Sequence, residues 1–219
     1  MGFIFIGQNL LIVGYQHKED ESFDFFTYYC GEKLGKFYSI LIPITITLIM
    51  SVLISGVGAT FFEYYGVNKY IGSALVMVIV LFTYLLGFEK LVKVISTVGP
   101  AIIIFSILVG IITIINDYKF LSQVPKYRVI LSETRAAPHW IISSLLYLSL
   151  NFLSGSSYFV NLGKLAQGKK DAKYGAILGA ILVVVTIGIT NTALLLNAKD
   201  IVHMEVPVSY LAKKISYLL

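Results

Sequence analysis

Long apolar runs alternate with short polar connections along most of this chain. A bilayer core needs about 20 apolar residues in helical form. On that scale full spans can be drawn at residues 37–62, 70–87, 94–115, 139–160 and 174–196, with a shorter, partial span at residues 1–15. Residues 205–219 read as an amphipathic approach to a further span, so both ends have the look of a cut. Lipid offers no partner to a free N–H or C=O, so such runs must be helical. The pattern predicts an all-α, polytopic transmembrane helical bundle, a single transmembrane region over residues 1–219.

One run departs from the pattern. Residues 139–150 are apolar and helix-compatible, but Asn151, Ser154, Gly155, Ser156 and Ser157 then bring small polar groups into the middle of the span. An interruption of the helix is expected near residues 151–157. Backbone groups freed at mid-depth are tolerated where they line a cavity or bind a ligand. The first half-helix would end in unpaired carbonyls suited to a cation, and the second would begin with N–H groups suited to a carboxylate. The bland alternative is a continuous helix whose serines bond back to earlier carbonyls.

Small and polar residues also form stripes on other spans. Thr47, Ser51, Ser55, Ala59 and Glu63 recur every fourth residue. Ser143, Tyr147, Asn151 and Ser154 follow a 4-4-3 spacing, and Gly175, Gly179, Thr186, Thr190 and Asn197 share a face. Small residues let helices approach closely, and hydroxyls bond across them, so plain helix packing explains most of this. Thr186 and Thr190 remain candidates to line a solute path beside the 139–160 span.

Composition agrees with a membrane protein: 57% hydrophobic and 13% charged residues, with a mean hydropathy of +0.83. A soluble domain carries about 25% charged residues. The net charge of +5 would suggest nucleic acid in a soluble chain. Here the lysines sit in short loops, where they set topology and meet lipid headgroups. The densest short basic loop is 161–173, with Lys164, Lys169, Lys170 and Lys173, which places it in the cytoplasm. Cys30 is the single cysteine, and His17, His139 and His203 are far apart, so no metal site is expected.

Glu63 is the acid embedded near an apolar span end, beside Tyr64 and Tyr65. It reads as an interfacial acid or, more sharply, as a gate or proton-coupling residue on the outer side. Pro100 is expected to open or kink its span, whereas Pro43 is placed in the first turns of the 37–62 span. No metalloprotease, nucleophile-elbow or phosphate-loop motif is visible, and an enzyme is not expected.

Several strings taken together resemble the YkvI-like family of bacterial membrane proteins. They are Ser55-Gly56-Val57-Gly58-Ala59 with Glu63-Tyr64-Tyr65-Gly66, the 66–72 turn, the 140–147 run with Asn151, and Leu162-Gly163 before the Gly175–Gly179 helix. By resemblance this implies the amino acid–polyamine–organocation transporter superfamily and its five-plus-five inverted-repeat fold. The spans would then be the second through seventh helices, lacking the first helix and the C-terminal helices. The interrupted span would be one of two discontinuous helices around a central site.

The resulting expectation is a secondary transporter, or a fragment of one, in the bacterial inner membrane. It would carry an amino acid or similar small organic solute by ion-coupled alternating access. The solute would meet Asn151, Ser154, Gly155, Ser156 and Ser157, with Thr186 and Thr190 as weaker lining candidates. No cofactor is expected beyond a coupling Na⁺ or H⁺, and the partners are the lipid bilayer and the solute, with no nucleic acid. The alternative is a non-transporting integral scaffold or sensor protein.

Overall fold

A computed structural model describes residues 1–20, 22–128 and 136–216, which are helical with no strand. The helices are α1 (Gly2–Gln16), α2 (Phe25–Tyr65), α3 (Lys69–Leu85), α4 (Phe88–Asp117), α5 (Trp140–Lys164), α6 (Lys169–Leu196), α7 (Ala198–Ile201) and α8 (Pro207–Ser216). A 3₁₀ helix, Tyr118–Arg128, continues α4. Among the described residues, three segments are long and apolar enough to cross a membrane: Phe25–Tyr65, Phe88–Tyr127 and Lys169–Leu196. Of their most apolar windows only 6%, 17% and 11%, respectively, is buried inside the protein. Their large side chains therefore point outward, the arrangement that lipid contact favours. α5 has the length to span but is less uniformly apolar, because Asn151 and its serines lie within it.

α2 begins earlier than the apolar run does. Phe25 opens the helix and Gly31 interrupts it with φ 79°, a left-handed conformation in which a Cβ would be strained. Pro43 therefore lies well inside α2 rather than in its first turns. α4 continues as helix through Pro100. Asn68 caps α3, its side chain accepting from Tyr70 N–H at 2.9 Å, and His139 caps α5 through Nδ1 and Ile141 N–H at 3.3 Å.

The chain divides into two compact units. The first comprises Met1–Met50 and Ala136–Val183. Its centre is the pairing of α1 with α5. Leu10, Phe152 and Val160 form a buried cluster, flanked by Phe3, Ile6 and Leu148. The two backbones touch. A Cβ on Gly14 would collide with the carbonyl of Val160, and one on Gly163 with the carbonyl of Leu11. Only glycine permits that approach, the usual device for close helix pairs in lipid. Leu11 continues the contact onto Ala172 and Ala176 of α6. At one end of this unit Lys164 Nζ donates to the Asp20 carbonyl at 2.9 Å, fastening the α1–α2 connection to the end of α5.

The second unit comprises Ser51–Arg135 and Val184–Leu219. α8 presents Leu211 and Ile215, one turn apart, to Val109 of α4 and Ala193 of α6. Leu211 and Ala193 are 0% exposed. The amphipathic tail segment is thus a short helix folded onto the unit, with Lys213 on the side away from Leu211.

Candidate functional site

The expected interruption of the 139–160 span is corrected by the structure. α5 runs as one helix from Trp140 to Lys164. The polar groups satisfy its own backbone instead of breaking it. Asn151 Nδ2 donates to Tyr147 O at 2.8 Å, Ser154 Oγ to Leu150 O at 2.6 Å, and Ser156 Oγ to Leu153 O at 3.0 Å. Each carbonyl gains a second donor while keeping its place in the helix, so the residues expected to loosen the span are accommodated inside it. The half-helix ends that would have offered free carbonyls or N–H groups do not exist here.

The residues still sort by face. Phe152, Ser156, Val160 and Gly163 are the buried residues of α5, and they form the side packed on α1. At about 100° per residue, Tyr147, Asn151, Ser154 and Tyr158 share a stripe on roughly the opposite side. Ser156 therefore belongs to the packing face, at 4% exposure, whereas Asn151 and Ser154 are half-buried and Ser157 is exposed. Gly155 lies beside Phe159, whose ring edge would contact an added Cβ. The Ser154 hydroxyl proton and one Asn151 N–H are turned back onto the helix, so the stripe offers acceptor oxygens and the second Asn151 N–H. Thr186 and Thr190 are half-buried on the part of α6 that belongs to the second unit.

The second unit brings together polar groups that the sequence pattern left scattered. Asp117 ends α4, Asn197 joins α6 to α7, and Lys214 lies in the last turn of α8. Lys214 Nζ donates to Asp117 Oδ2 and to Asn197 Oδ1, both at 2.7 Å. Asn197 Nδ2 donates to the same Asp117 oxygen at 2.8 Å and to Ala193 O at 3.1 Å. Asp117 is 5% and Asn197 3% exposed. A carboxylate taken that far from water needs both a counter-charge and hydrogen bonds, and it has both. The available sequence signal was an acid and an amide each flush against the end of an apolar run. Their shared partner on α8 was not readable.

Beside this cluster lies a cavity of about 640 Å³, walled by Glu63, Tyr64, His203, Met204, Tyr210 and Lys213, with Lys214 at its edge. Lys213 Nζ sits 4.9 Å from the centroid of the Tyr64 ring, a cation–π contact along the wall. Burial pushes the Tyr210 phenol above its usual value, and the Asp200 carboxylate adds to the effect, so this wall presents a neutral hydroxyl. Glu63 also borders a second cavity of about 500 Å³, shared with Lys69, Tyr70 and Glu205. Glu63 is exposed and stands where two cavities meet.

Among the described residues no group of three or more His, Cys, Asp or Glu side chains is placed to hold a metal ion. No family model matches the chain, and no solved structure matches it. The chain is 23% identical over 215 residues to the uncharacterized membrane protein YkvI of Bacillus subtilis (strain 168). That similarity takes in 94% of this chain and 57% of the relative, so the chain spans a little over half the length of the protein it matches. It supports the membrane character already read from the helices.

Proposed function

We propose that this chain forms part of a secondary transporter of the bacterial inner membrane, carrying an amino acid or a similar small organic solute. The observation behind this reading is the two-sidedness of α5. One face is locked to α1 by Gly14 and Gly163, while Asn151 and Ser154 lie on the other. An amide and a hydroxyl on the face that α1 leaves open are not needed for that pairing. In a membrane helix such groups ordinarily face other polar groups or a watery path. The Ser154 hydroxyl proton and one of the two Asn151 N–H groups are committed to Leu150 O and Tyr147 O, and the oxygens of both side chains remain as acceptors, which suit the ammonium of an amino acid. Ser157 and the small Gly155 widen the same stretch. Ser156 is withdrawn from the lining set, because it packs against α1.

The coupling ion would be Na⁺ or H⁺, with Glu63 as the titrating candidate. No covalent chemistry is assigned. The second reading, a scaffold or sensor, is favoured by the back-bonded serines, which a purely structural helix would also show.

Uptake of labelled amino acids by cells carrying or lacking the gene separates the two. Transport predicts a deficit for at least one amino acid in the deleted strain, restored by the wild-type gene and not by Asn151→Ala. Equal uptake in both strains across the amino acids refutes the reading. If Glu63 couples protons, Glu63→Gln flattens the pH dependence of uptake; an unchanged profile leaves Glu63 outside the coupling.

A further inference from the structure

The cavity of about 500 Å³ at the α2–α3 turn joins a charged wall to an apolar margin. Its volume falls within the range of small-molecule sites, about 300–1,000 Å³. Phe62 and Glu63 come from the end of α2, Lys69 and Tyr70 from the start of α3, and Glu205 from the segment before α8. All of them belong to the second unit. Among the described residues, Glu63, Glu205 and Lys69 have no ion-pair partner. The wall therefore shows two carboxylates and one ammonium to whatever enters.

The backbone around this cavity is tightly set. Gly58 stands so close to α3 that an added Cβ would collide with the Lys69 carbonyl and the Ser73 hydroxyl, and one on Gly72 would meet the Phe61 ring. Ser73 Oγ donates to Ile54 O at 3.1 Å. Val206, next to Glu205, reaches to 3.8 Å from the place a Cβ on Gly56 would take. The cavity also opens toward lipid. α2 is long and apolar enough to cross a membrane, and it ends at Tyr65. Tyr64, Tyr65 and Tyr70 gather at that end, as aromatic side chains do at a membrane–water interface. Phe62 and Tyr70 line the cavity and are still 60% and 73% exposed, and Ile71 beside them is 61% exposed. A small ion would meet the charged wall and leave this apolar margin bare.

We propose that this cavity binds the headgroup of a phospholipid carrying a primary amine, of the phosphatidylethanolamine type. Glu63 and Glu205 receive the ammonium, Lys69 receives the phosphate, and the acyl chains lie along the exposed margin at Phe62 and Ile71. Carboxylates pair best with a cation that has N–H groups to donate, which a quaternary choline lacks. A headgroup with no cation would set its phosphate against two carboxylates. The ligand is a resident lipid of the bilayer and not a carried solute. The site therefore goes beyond the transport reading and needs nothing from the α5 stripe.

The test is lipid retention by the purified full chain in detergent, read by native mass spectrometry and by thermal shift. The probes are palmitoyl-oleoyl phosphatidylethanolamine, the phosphatidylcholine and phosphatidylglycerol with the same chains, and glycerophosphoethanolamine, which has the headgroup without the chains. The ethanolamine lipid should bind about tenfold more tightly than the choline and glycerol lipids, since a charge-assisted hydrogen bond separates them. Glu205→Gln should bring the ethanolamine and choline lipids within about threefold of each other. Lys69→Met should weaken the ethanolamine lipid by about tenfold. Glu205 and Lys69 are exposed, so these changes spare the core. Lys170→Met removes an exposed lysine of the first unit and should leave the preference unchanged. The proposal is overturned if the three lipids bind alike, or if Glu205→Gln or Lys69→Met binds like wild type. It is also overturned if glycerophosphoethanolamine binds as tightly as the lipid, which would make this a site for a free phosphate ester. A headgroup preference with no uptake deficit in the deleted strain keeps this site and discards the transport reading. An uptake deficit with no headgroup preference does the reverse.

Discussion

Removing Lys214 tests whether a buried charge cluster holds the second unit together. Lys214→Met keeps the apolar stem and takes away the ammonium that Asp117 Oδ2 and Asn197 Oδ1 receive at 2.7 Å. Asp117, 5% exposed, would keep the Asn197 Nδ2 donation at 2.8 Å but lose its counter-charge. Breaking a buried ion pair costs about 3–5 kcal/mol. The Lys214 side chain keeps 29% of its exposure, so solvent screens part of its charge. The expected loss is therefore nearer about 2–3 kcal/mol. It should appear locally, because the pair joins α8 to the end of α4.

Hydrogen exchange of α8 amides reads that local opening directly. A loss of about 2–3 kcal/mol corresponds to roughly 30- to 150-fold faster exchange. The double variant Asp117→Asn/Lys214→Met removes both charges and leaves an amide that can still meet Asn197. It should return α8 exchange to within about tenfold of wild type, since a buried pair is dispensable when both members go. A change under about threefold in Lys214→Met would refute the reasoning. So would a double variant as labile as the single one, because the cost would then not come from an unmatched carboxylate.

Gly163→Val drives a branched side chain into the Leu11 carbonyl and must part α1 from α5; about 2–3 kcal/mol of overpacking corresponds to a midpoint roughly 5–10 °C lower in detergent, and an unchanged midpoint would contradict the close approach. Ser156→Ala loses a hydrogen bond within its own helix, so its stability effect should stay under about 1 kcal/mol; a collapse in a denaturant titration would mean that Ser156 does more than pack. Asn151→Ala should cut amino-acid uptake by about tenfold or more while changing stability by under about 1 kcal/mol, and a stability loss that explains the whole uptake defect would assign Asn151 to structure. Asp20 is held below the usual carboxylate value chiefly by the Ser22 hydroxyl, with the Ser22 N–H and Lys164 helping; a depressed folded value contributes stability above the ordinary carboxylate pKa that is lost as pH falls through the lowered one. Exchange protection of the α1–α2 connection should therefore fall only on strong acidification, and Ser22→Ala should move that fall to higher pH; identical profiles would remove Ser22 as the cause.

What the sequence determined by itself was the class of the molecule. Runs such as 37–62 and 94–115 leave a chain in lipid no choice but helix, because water is not there to take the backbone's hydrogen bonds. The same local logic misread α5. A cluster of small polar residues is compatible with a break and with a continuous helix, and the choice depends on where each side-chain donor finds an acceptor. Ser154 and Asn151 find one a turn back, at Leu150 and Tyr147. Spacing did recover the Tyr147–Asn151–Ser154 stripe, since the helical period fixes which residues share a face. It could not say that Ser156 turns away toward α1, because that follows from the approach of Gly14 and Gly163.

Tertiary structure alone decided the second unit. Asp117, Asn197 and Lys214 lie on three separate segments, and no local pattern pairs an acid at residue 117 with a lysine at 214. Glu63 was visible as an acid near a span end, but its cavity depends on α8 folding back with Leu211 buried and Lys213 placed over Tyr64. Hydrophobicity is a property each residue carries along the chain, so spans can be read locally. Matching buried charges and closing a cavity depend on distances between remote segments, and only the folded chain sets them.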